Sequence, residues 1–463
     1  MPAGPVTSTN HGRSRLPSPL RGLTGPALGG LLVSVTLMVV AMAVPAIFDW
    51  NVHVRSFPPL HAKWDPRWGP GTIASVLVAG VTLVYARRFA AEASWGRLLL
   101  GAYALGAAWM VSLATVDGWD GIGVILQSGY EYLRTARTIT SWGDVSTMLH
   151  EYVARIDYDN PAHWSVHLSG HPPGAVLFFV LLVALGLGGG LAAGSVVIAL
   201  AATTPVAVLI TLRTLGAESS ARSAAPFLVV GPAAIWMAVS ADAMFAAVAA
   251  WGLTCLAVAA TRSKSRATAL WGLLAGLLLG FCVLMSYGLP VLGVLALGVL
   301  VAARSFRPLP WAVAAAAAVV IAFAAAGFSW WEAFPALRER YYRGVSKVRP
   351  SSYWLWGNLA ALSFSAGPVV GTAAAQALSR VKGTWPRRSH ERTGVVLTVA
   401  AVITIALVDL SGLSRGEVER IWLPFVPWLL VGTALLPERW RRIGLPLQVV
   451  LALVVQHLLF TGW

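Results

Sequence analysis

Charged residues are scarce in this chain, and acidic residues are the scarcest of them. Only 11% of its 463 residues are charged, against about 25% in a soluble globular domain. Apolar residues make up 57%, which excludes a soluble globular protein. The two cysteines, Cys255 and Cys282, both lie in apolar runs, which excludes a disulfide or metal framework. The sequence also lacks the matched pair of broken helices that marks many secondary transporters.

Long apolar runs fill the chain instead. A run of about 20 such residues crosses the hydrocarbon layer as a helix. The sequence therefore predicts an all-α, polytopic transmembrane bundle of about thirteen spans. We expect the transmembrane bundle to be a single domain over 27–463, preceded by a disordered cytoplasmic tail over 1–26. The predicted spans are 27–47, 71–86, 98–116, 191–212, 223–240, 243–261, 268–285, 288–303, 311–329, 355–378, 394–410, 421–436 and 443–460.

Basic residues occur in short clusters between these runs. The net charge of +15 would suit nucleic acid, but clusters between spans follow the positive-inside rule, so nucleic acid is excluded as a partner. The clusters at 87–88, 262–266, 380–392 and 439–442 are predicted to be cytoplasmic. These assignments agree only if the short run 175–187 is interfacial. The sequence thus predicts a multi-pass protein of the cell membrane with a cytoplasmic N-terminus.

With this topology, fifteen of the nineteen acidic residues fall on the outer face. Acidic residues have little influence on membrane insertion, so their accumulation on one side indicates chemistry there. The predicted outer loops, with short interfacial helices, are 49–70, 117–190, 330–354 and 411–420. The longest of them is rich in carboxylates, histidines and tyrosines, and polar loops of that length are usually functional. We expect an extracytoplasmic active site.

Two carboxylates and two histidines are the candidates in that longest loop. Asp117 and Asp120 follow an apolar run, and a carboxylate shielded at a membrane boundary suits a general base. The alternative for Asp117 is a turn residue, because Asp-Gly is a common turn pair. His167 and His171 precede Pro-Pro and are candidates to bind a substrate hydroxyl or phosphate, against a purely structural role for the prolines. With His163 their spacing also suits a metal, but the neighbouring prolines argue against a regular helix, so no metal site is assigned.

A further acid interrupts the apolar stretch between Ser223 and Ala260, at the point where the topology needs an outer turn. Asp242 lies there, and an ionisable residue in such a stretch indicates a functional site. The alternative is that Asp242 caps the next helix. We expect Asp242 to be the third catalytic carboxylate.

Cations in the last two outer loops are candidates to bind a phosphate. Arginine grips phosphate with two donors, and aromatic residues suit the headgroup level of a membrane. The alternative is binding of lipid headgroups without catalysis, or charges that only extend to the membrane surface. The candidate substrate-binding residues of these loops are Arg338, Arg343, Lys347, Arg349, Tyr353, Arg415, Glu417 and Arg420.

This order of features resembles the GT-C superfamily of integral membrane glycosyltransferases, which includes protein O-mannosyltransferases and lipid A aminoarabinose transferases. An acid follows a span at Asp117, and Pro172-Pro173 precedes a short run. A basic cytoplasmic turn follows over 213–222, and a second acid, Asp242, lies at the next outer turn. The resemblance covers roughly residues 97 to 460.

The resemblance implies a cell-envelope glycosyltransferase with a polyprenyl-phosphate-linked sugar as donor and a glycan, lipid or protein as acceptor, among membrane lipids. An Asp would deprotonate an acceptor hydroxyl, which attacks the anomeric carbon with inversion. Asp117 or Asp120 would be the base, or Asp49 or Asp65 if the first hairpin belongs to the family pattern. Some relatives recruit a divalent cation, and Asp242 would hold either that ion or a sugar hydroxyl.

Two other functions compete with the glycosyltransferase. A transporter or flippase of a lipid-linked sugar would carry charges inside its spans along a path, whereas here nearly all acids lie at the predicted outer boundary. A non-catalytic scaffold for envelope synthesis would not need acids in its outer loops. The transferase is therefore the leading prediction and the flippase the alternative.

Overall fold

The computed structural model describes residues 25–128, 132–384 and 390–462. Most of these residues are helical, which confirms the predicted all-α bundle. Seven helices are long and apolar enough to cross a membrane, and an eighth span results if the bent pair Leu309–Ala325 and Trp330–Arg343 counts as one. The seven are Pro26–Ile47, Gly71–Glu92, Trp95–Asp117, Gly190–Thr214, Ala241–Thr261, Ser265–Val283 and Glu391–Leu410.

The other predicted spans form shorter or broken helices. The predicted span 223–240 is interrupted at Gly231-Pro232, and 355–378 at Gly367-Pro368, where Gly367 has a φ of 80°. Proline removes a helical donor, which interrupts the helix at both pairs, and at Gly367 the glycine also permits the left-handed turn. The pieces and the remaining apolar helices are Glu218–Val229, Ala233–Met237, Leu289–Val291, Leu292–Ala303, Ser351–Ser365, Val369–Thr384, Val426–Leu430, Val431–Leu435 and Glu438–Leu458.

Short helices fill the long loop after Asp117. Trp142–Glu151 begins with a capping box, in which Ser141 and Asp144 satisfy each other's backbone amides. The run predicted to be interfacial forms only the 11-residue helix Gly174–Ala184. The others are Thr115–Asp117, Asp120–Gly123, Ile125–Ser128, Tyr132–Ala136, Ala154–Ile156 and Val166–Ser169, and later in the chain Val345–Val348 and Val418–Ile421.

Small residues bring the long helices together. A side chain added at Gly30 would lie 2.1 Å from the carbonyl oxygen of Gly371, so Pro26–Ile47 and Val369–Thr384 touch backbone to backbone. Gly276 approaches the carbonyl of Ala312 equally closely. Such contacts suit helices in lipid, where packing replaces the hydrophobic drive.

A two-stranded ribbon joins the first loop to the residues that follow the last helix. Lys63–Trp64 pairs antiparallel with Leu459–Phe460, in the register Lys63 to Phe460 and Trp64 to Leu459. The ribbon fixes the first loop beside the end of the last helix. It thereby brings His61 and Gly462 to the wall of one cavity.

Candidate active site

A cavity of about 710 Å³ lies where the polar loops converge. We call it the large cavity. Its wall is mixed, with apolar side chains beside a concentration of arginine and histidine. The ionisable residues that line it are Arg55, His61, Tyr158, His167, His171, Tyr287, Arg338, Arg340, Tyr341, Arg349, Arg415, Glu417 and Arg420.

Arg420 lies at the centre of a buried charge network on this wall. Its Nη1 donates to Oδ2 of Asp242 at 2.8 Å, and its Nη2 donates to Oε2 of Glu417 at 3.0 Å. Arg349 donates from both terminal nitrogens to Oε1 of Glu417 at 3.4 Å. The side chains of Arg420 and Asp242 are 5% and 3% exposed. Two acids and two arginines therefore alternate, so each buried charge has an opposite neighbour.

The start of helix Ala241–Thr261 explains why Asp242 is free to join this network. Ser240 caps the helix, because its hydroxyl accepts the backbone amide of Ala243 at 3.2 Å. The capping role that the sequence left open for Asp242 is thus filled by its neighbour. The Asp242 carboxylate binds Arg420 across the fold.

Glu417 has an unusual backbone. Its φ is 61°, in the left-handed region that non-glycine residues seldom adopt, and Gly416 before it has a φ of 91°. Asn358 stabilises this turn, since its side chain accepts the Gly416 amide at 3.1 Å and donates to the Ser414 carbonyl at 2.7 Å. Burial alone would raise the pKa of Glu417, but Arg420 and Arg349 hold that pKa well below its usual value. Glu417 is therefore an ionised carboxylate in a strained turn.

Three histidines line the large cavity in the neutral form. Burial, with Arg420 nearby, lowers the pKa of His167 to about 3, and burial also lowers the pKa values of His61 and His171. Nδ1 of His171 lies 2.9 Å from the hydroxyl of Tyr132 and 2.9 Å from the carbonyl oxygen of His167. The Tyr132 contact and the backbone fix the ring, so His171 presents a constant face to the cavity.

A second acid of the same turn is buried beside the cavity. Glu419 is 1% exposed, and its Oε1 accepts the backbone amide of His61 at 3.0 Å. Its Oε2 and Nδ1 of His61 are both buried, and neither has a hydrogen-bond partner in the described part of the chain. Burial raises the pKa of Glu419 to about 7. Glu419 therefore joins the last loop to the first and titrates near neutrality.

The remaining cavity arginines differ in what they contact. Arg340 donates to the backbone carbonyls of Ile156 and Trp164, and Arg415 donates to those of Ser346 and Arg349, so both hold loops together. In contrast, Arg55 and Arg338 are exposed, and neither forms an ion pair within the described residues. Arg55 and Arg338 are therefore the cations available to an anionic ligand.

The cavity includes seven of the residues that the sequence singled out: His167, His171, Arg338, Arg349, Arg415, Glu417 and Arg420. Asp242 reaches its wall through Arg420. For five others the structure places the side chain elsewhere. The prediction that Asp117 and Asp242 share a pocket with the arginines does not hold, because Asp117 pairs with Arg67 and accepts a hydrogen bond from Gln456 at 2.9 Å.

The other four side chains also lie outside the large cavity, two of them exposed and two in contacts elsewhere. Asp120 is exposed at the start of a short helix, and Lys347 is exposed on Val345–Val348. Arg343 pairs at the surface with Asp157 and Asp159. The hydroxyl of Tyr353 donates to the carbonyl of Ala41 at 2.8 Å, so Tyr353 stabilises the packing of two helices. None of the four is among the described residues that line the large cavity.

The acids of the first hairpin, which the sequence left open as bases, also lie outside that lining. Asp49 is exposed, with a φ of 48°, and Asp65 pairs with Lys63 at 3.4 Å. The candidate residues chosen from the sequence did not include Arg55, His61 or Glu419. Only the Glu-x-Glu-Arg spacing of the last loop marked Glu419.

The donor groups present do not suit a resident divalent cation. Asp242, the residue implied to hold such an ion, is bound to Arg420, as is Glu417. Across the described ranges, no group of three or more His, Cys, Asp or Glu side chains is arranged to hold a metal ion. A carboxylate that is neutralised by arginine offers little to a hard cation.

Comparisons with known proteins give two structural neighbours. No family model matches the chain, and no curated protein does. A crystal structure of the Archaeoglobus fulgidus oligosaccharyltransferase with zinc and sulfate is 14% identical, with a TM-score of 0.47, over 77% of this chain and 53% of that one. The archaeal oligosaccharyltransferase AglB from Archaeoglobus fulgidus, with an inhibitory peptide and a dolichol-phosphate, is 13% identical, with a TM-score of 0.42, over 74% and 50%. The chain thus spans about half the length of these structures.

Proposed function

We propose that this protein is a membrane glycosyltransferase of the GT-C type, which moves a sugar from a polyprenyl-phosphate donor to an acceptor hydroxyl on the extracytoplasmic face. The observation that carries the proposal is the large cavity itself. Among the described residues it combines two arginines that form no ion pair, neutral histidines, one ionised carboxylate and an apolar wall, within a bundle of membrane-length helices. These are the groups that a lipid-linked sugar phosphate requires.

The donor phosphate binds at Arg55 and Arg338. Both arginines are exposed at the cavity and have no ion pair among the described contacts, so their guanidinium groups have donors to spare. The same cavity has apolar side chains such as Leu337, Leu407 and Phe425, against which a lipid chain packs. Charge-assisted hydrogen bonds stabilise the phosphate most strongly when it leaves with full negative charge.

Glu417 is the proposed base. Among the described residues that line the cavity, it is the one carboxylate. The acceptor oxygen attacks the anomeric carbon from the side opposite the phosphate, and the carbon–oxygen bond to phosphate breaks with its electron pair on the leaving phosphate. The acceptor hydroxyl donates a hydrogen bond to Glu417, whose orientation is fixed by Arg349 and Arg420. Because these arginines hold the pKa of Glu417 low, the carboxylate accepts the proton only as the new bond forms and then releases it to the departing phosphate dianion, which is the stronger base. Attack from the opposite side inverts the anomeric centre.

The histidines position the sugar. Because burial lowers the pKa values of His61, His167 and His171, these rings are neutral near pH 7 and offer both donors and acceptors to hydroxyl groups. Because the rings are uncharged, they bind sugar hydroxyl groups and leave the donor phosphate to the arginines. The acceptor shares this site, and a glycan, lipid or protein hydroxyl would each fulfil the same chemical role.

The test compares Glu417→Gln with Asp117→Asn in membranes that are supplied with a polyprenyl-phosphate sugar. Loss of a general base lowers kcat by roughly 10²–10⁴-fold, and we expect that loss for Glu417→Gln. Asp117→Asn removes a carboxylate outside the cavity and should retain transfer within a few-fold. Both variants are first matched for membrane expression.

The reverse result has a definite meaning. Transfer that survives Glu417→Gln and disappears in Asp117→Asn would move the base to Asp117, as the sequence alone predicted. Absence of transfer by the unmodified protein, together with movement of the lipid-linked sugar across the bilayer, would replace the transferase with a flippase.

A further inference from the structure

Three long helices run between two opposite ends of the bundle: Gly71–Glu92, Trp95–Asp117 and Glu438–Leu458. At one end Gln456 contacts Asp117, and Nε2 of His457 lies 3.2 Å from the Thr72 hydroxyl. At the other end of the same helices, Arg87 contacts Glu438. At 1.5 Å per residue these ends are about 30 Å apart, roughly the thickness of the hydrocarbon layer. The large cavity lies at the first end, where the Lys63–Trp64 ribbon holds His61.

A second pocket of about 410 Å³ lies at the other end. We call it the basic pocket, because its charged lining is Arg87, Arg88, Arg222 and Arg441, with Glu438 as the one acid among the described lining residues. Glu438 accepts from Arg441 at 3.1 Å and from Arg442 at 3.3 Å, besides its contact with Arg87. Arg88 and Arg222 pair with Glu92 and Glu218, which lie outside the described lining. Arg87, Arg441 and Arg442 share the one carboxylate of Glu438, so positive charge is in excess there.

An apolar groove of about 230 Å³ adjoins this pocket. Pro226 lines both. The helix Gly71–Glu92 lines them with different faces: Tyr85 and Phe89 lie in the groove, and Arg87 and Arg88 lie in the pocket. The helix makes a π turn over Thr82–Ala86 directly at this junction. Such turns occur often at functional sites, because the widened backbone changes the direction of the side chains. The pocket and the groove therefore lie on the two sides of this helix, and the pocket has apolar side chains of its own in Leu83, Val84 and Phe227.

We propose that the basic pocket binds an anionic phospholipid of the leaflet opposite the large cavity. The lipid phosphate accepts from Arg87 and Arg441, and one acyl chain lies along the exposed apolar side chains of Leu83 and Val84. Basic pockets between helices at a membrane face suit anionic headgroups, and the shared carboxylate leaves guanidinium donors for a second oxyanion. This site is independent of the proposed transferase.

The test uses purified full-length protein in detergent, titrated with phosphatidylglycerol or with phosphatidylcholine of the same acyl chains, with bound lipid measured by native mass spectrometry. Arg87→Gln combined with Arg441→Gln should weaken phosphatidylglycerol binding roughly tenfold, as loss of charge-assisted contacts does. The matched control is Arg262→Gln combined with Arg266→Gln. It removes equal charge from an exposed turn that lines neither the pocket nor the groove.

Two further variants test the site if the double arginine variant fails to fold. Glu438→Gln removes the shared carboxylate and should tighten binding of phosphatidylglycerol, whereas a lost structural contact would weaken it. Val84→Gln makes the apolar part of the pocket polar and should weaken binding of the lipid without changing that of glycerol phosphate. Weakening by the control pair equal to that by the pocket pair would overturn the proposal, as would equal binding of phosphatidylcholine. Competition by glycerol phosphate at the same concentration as the lipid would overturn the lipid as its source.

Discussion

The two charge clusters at opposite ends of the bundle have opposite ratios of arginines to carboxylates. In the large cavity one arginine, Arg420, lies between two carboxylates, Asp242 and Glu417. In the basic pocket one carboxylate, Glu438, lies among three arginines. The first cluster is buried and the second is partly exposed, with 49% of the Glu438 side chain accessible. Burial demands that charges balance within the protein, whereas exposure allows an excess.

This difference shows what each cluster can bind. The balanced network of Arg420 holds its own carboxylates in place, and the large cavity takes its free cations from Arg55 and Arg338 at its exposed part. The basic pocket has excess charge in its own lining. A buried balanced network therefore supplies orientation, and exposed unmatched arginines supply affinity for anions.

Removal of the central arginine should have the largest effect. Arg420→Met leaves Asp242 and Glu417 without their shared cation, and breaking a buried pair in this way costs about 3–5 kcal/mol. We expect a large fall in the Tm of the purified protein in detergent. Arg442→Met is the matched control, since that side chain is 68% exposed and is one of three on its carboxylate. Its Tm should stay unchanged.

A second substitution separates charge from packing in that result. Adding Asp242→Asn to Arg420→Met removes one unpaired charge and should restore part of the lost Tm. Equal Tm values for the single and double variants would show that Arg420 acts through its shape alone. A fall in the Arg442→Met variant equal to that of Arg420→Met would remove the distinction between the two clusters.

Glu419 should make the stability depend on pH. Its pKa is raised from 4.5 to about 7 by burial, so between these values the folded protein holds a proton that the unfolded chain has lost. The contribution of Glu419 to stability is therefore fully present below about pH 4.5 and is lost as pH rises to about 7, by at most roughly 3 kcal/mol. The lowered pKa values of His61, His167 and His171 act in the opposite direction, so Glu419 is measured by difference: the Tm of Glu419→Gln should rise more steeply with pH across this range than that of the unmodified protein.

The control for this titration is Glu332→Gln, which changes an exposed acid of the bent helix. It should keep the pH dependence of the unmodified protein. If Glu419→Gln also keeps it, another group carries the titration. A Tm that rises less steeply with pH in Glu419→Gln than in the unmodified protein would contradict the assigned direction.

The sequence predicted the helical class and part of the site, because both depend on local pattern. Apolar runs of membrane length determine helices such as Ala241–Thr261 wherever they lie in the fold. An acid within such a run, Asp242, must find a partner, so its importance was visible before the partner was known. Where Gly-Pro pairs occur, as at Gly367-Pro368, the same reasoning overestimated span length, since the apolar pattern continues through the break.

The positions of single side chains depend on contacts that no local pattern contains. Asp117 resembled a catalytic base because of its place after a span, but its partners are Arg67 and Gln456, which are 50 and 339 residues away in the chain. Glu419 meets the backbone of His61 across 358 residues. Such pairs form only when loops from both ends of the chain meet.

The smallest expected effect distinguishes two arginines of the helix Trp330–Arg343, of which one is proposed to bind the substrate. Arg338 and Arg343 are both exposed on Trp330–Arg343, but only Arg338 lines the large cavity, since Arg343 pairs with Asp157 and Asp159. We expect Arg338→Ala to raise the KM for the lipid-phosphate donor roughly tenfold, because one charge-assisted contact to phosphate is lost. Arg343→Ala should leave both KM and kcat unchanged, against the expectation from the sequence. Because neither residue is buried, both variants should fold, so the comparison measures binding alone. Equal KM values for the two variants would remove Arg338 from the phosphate site.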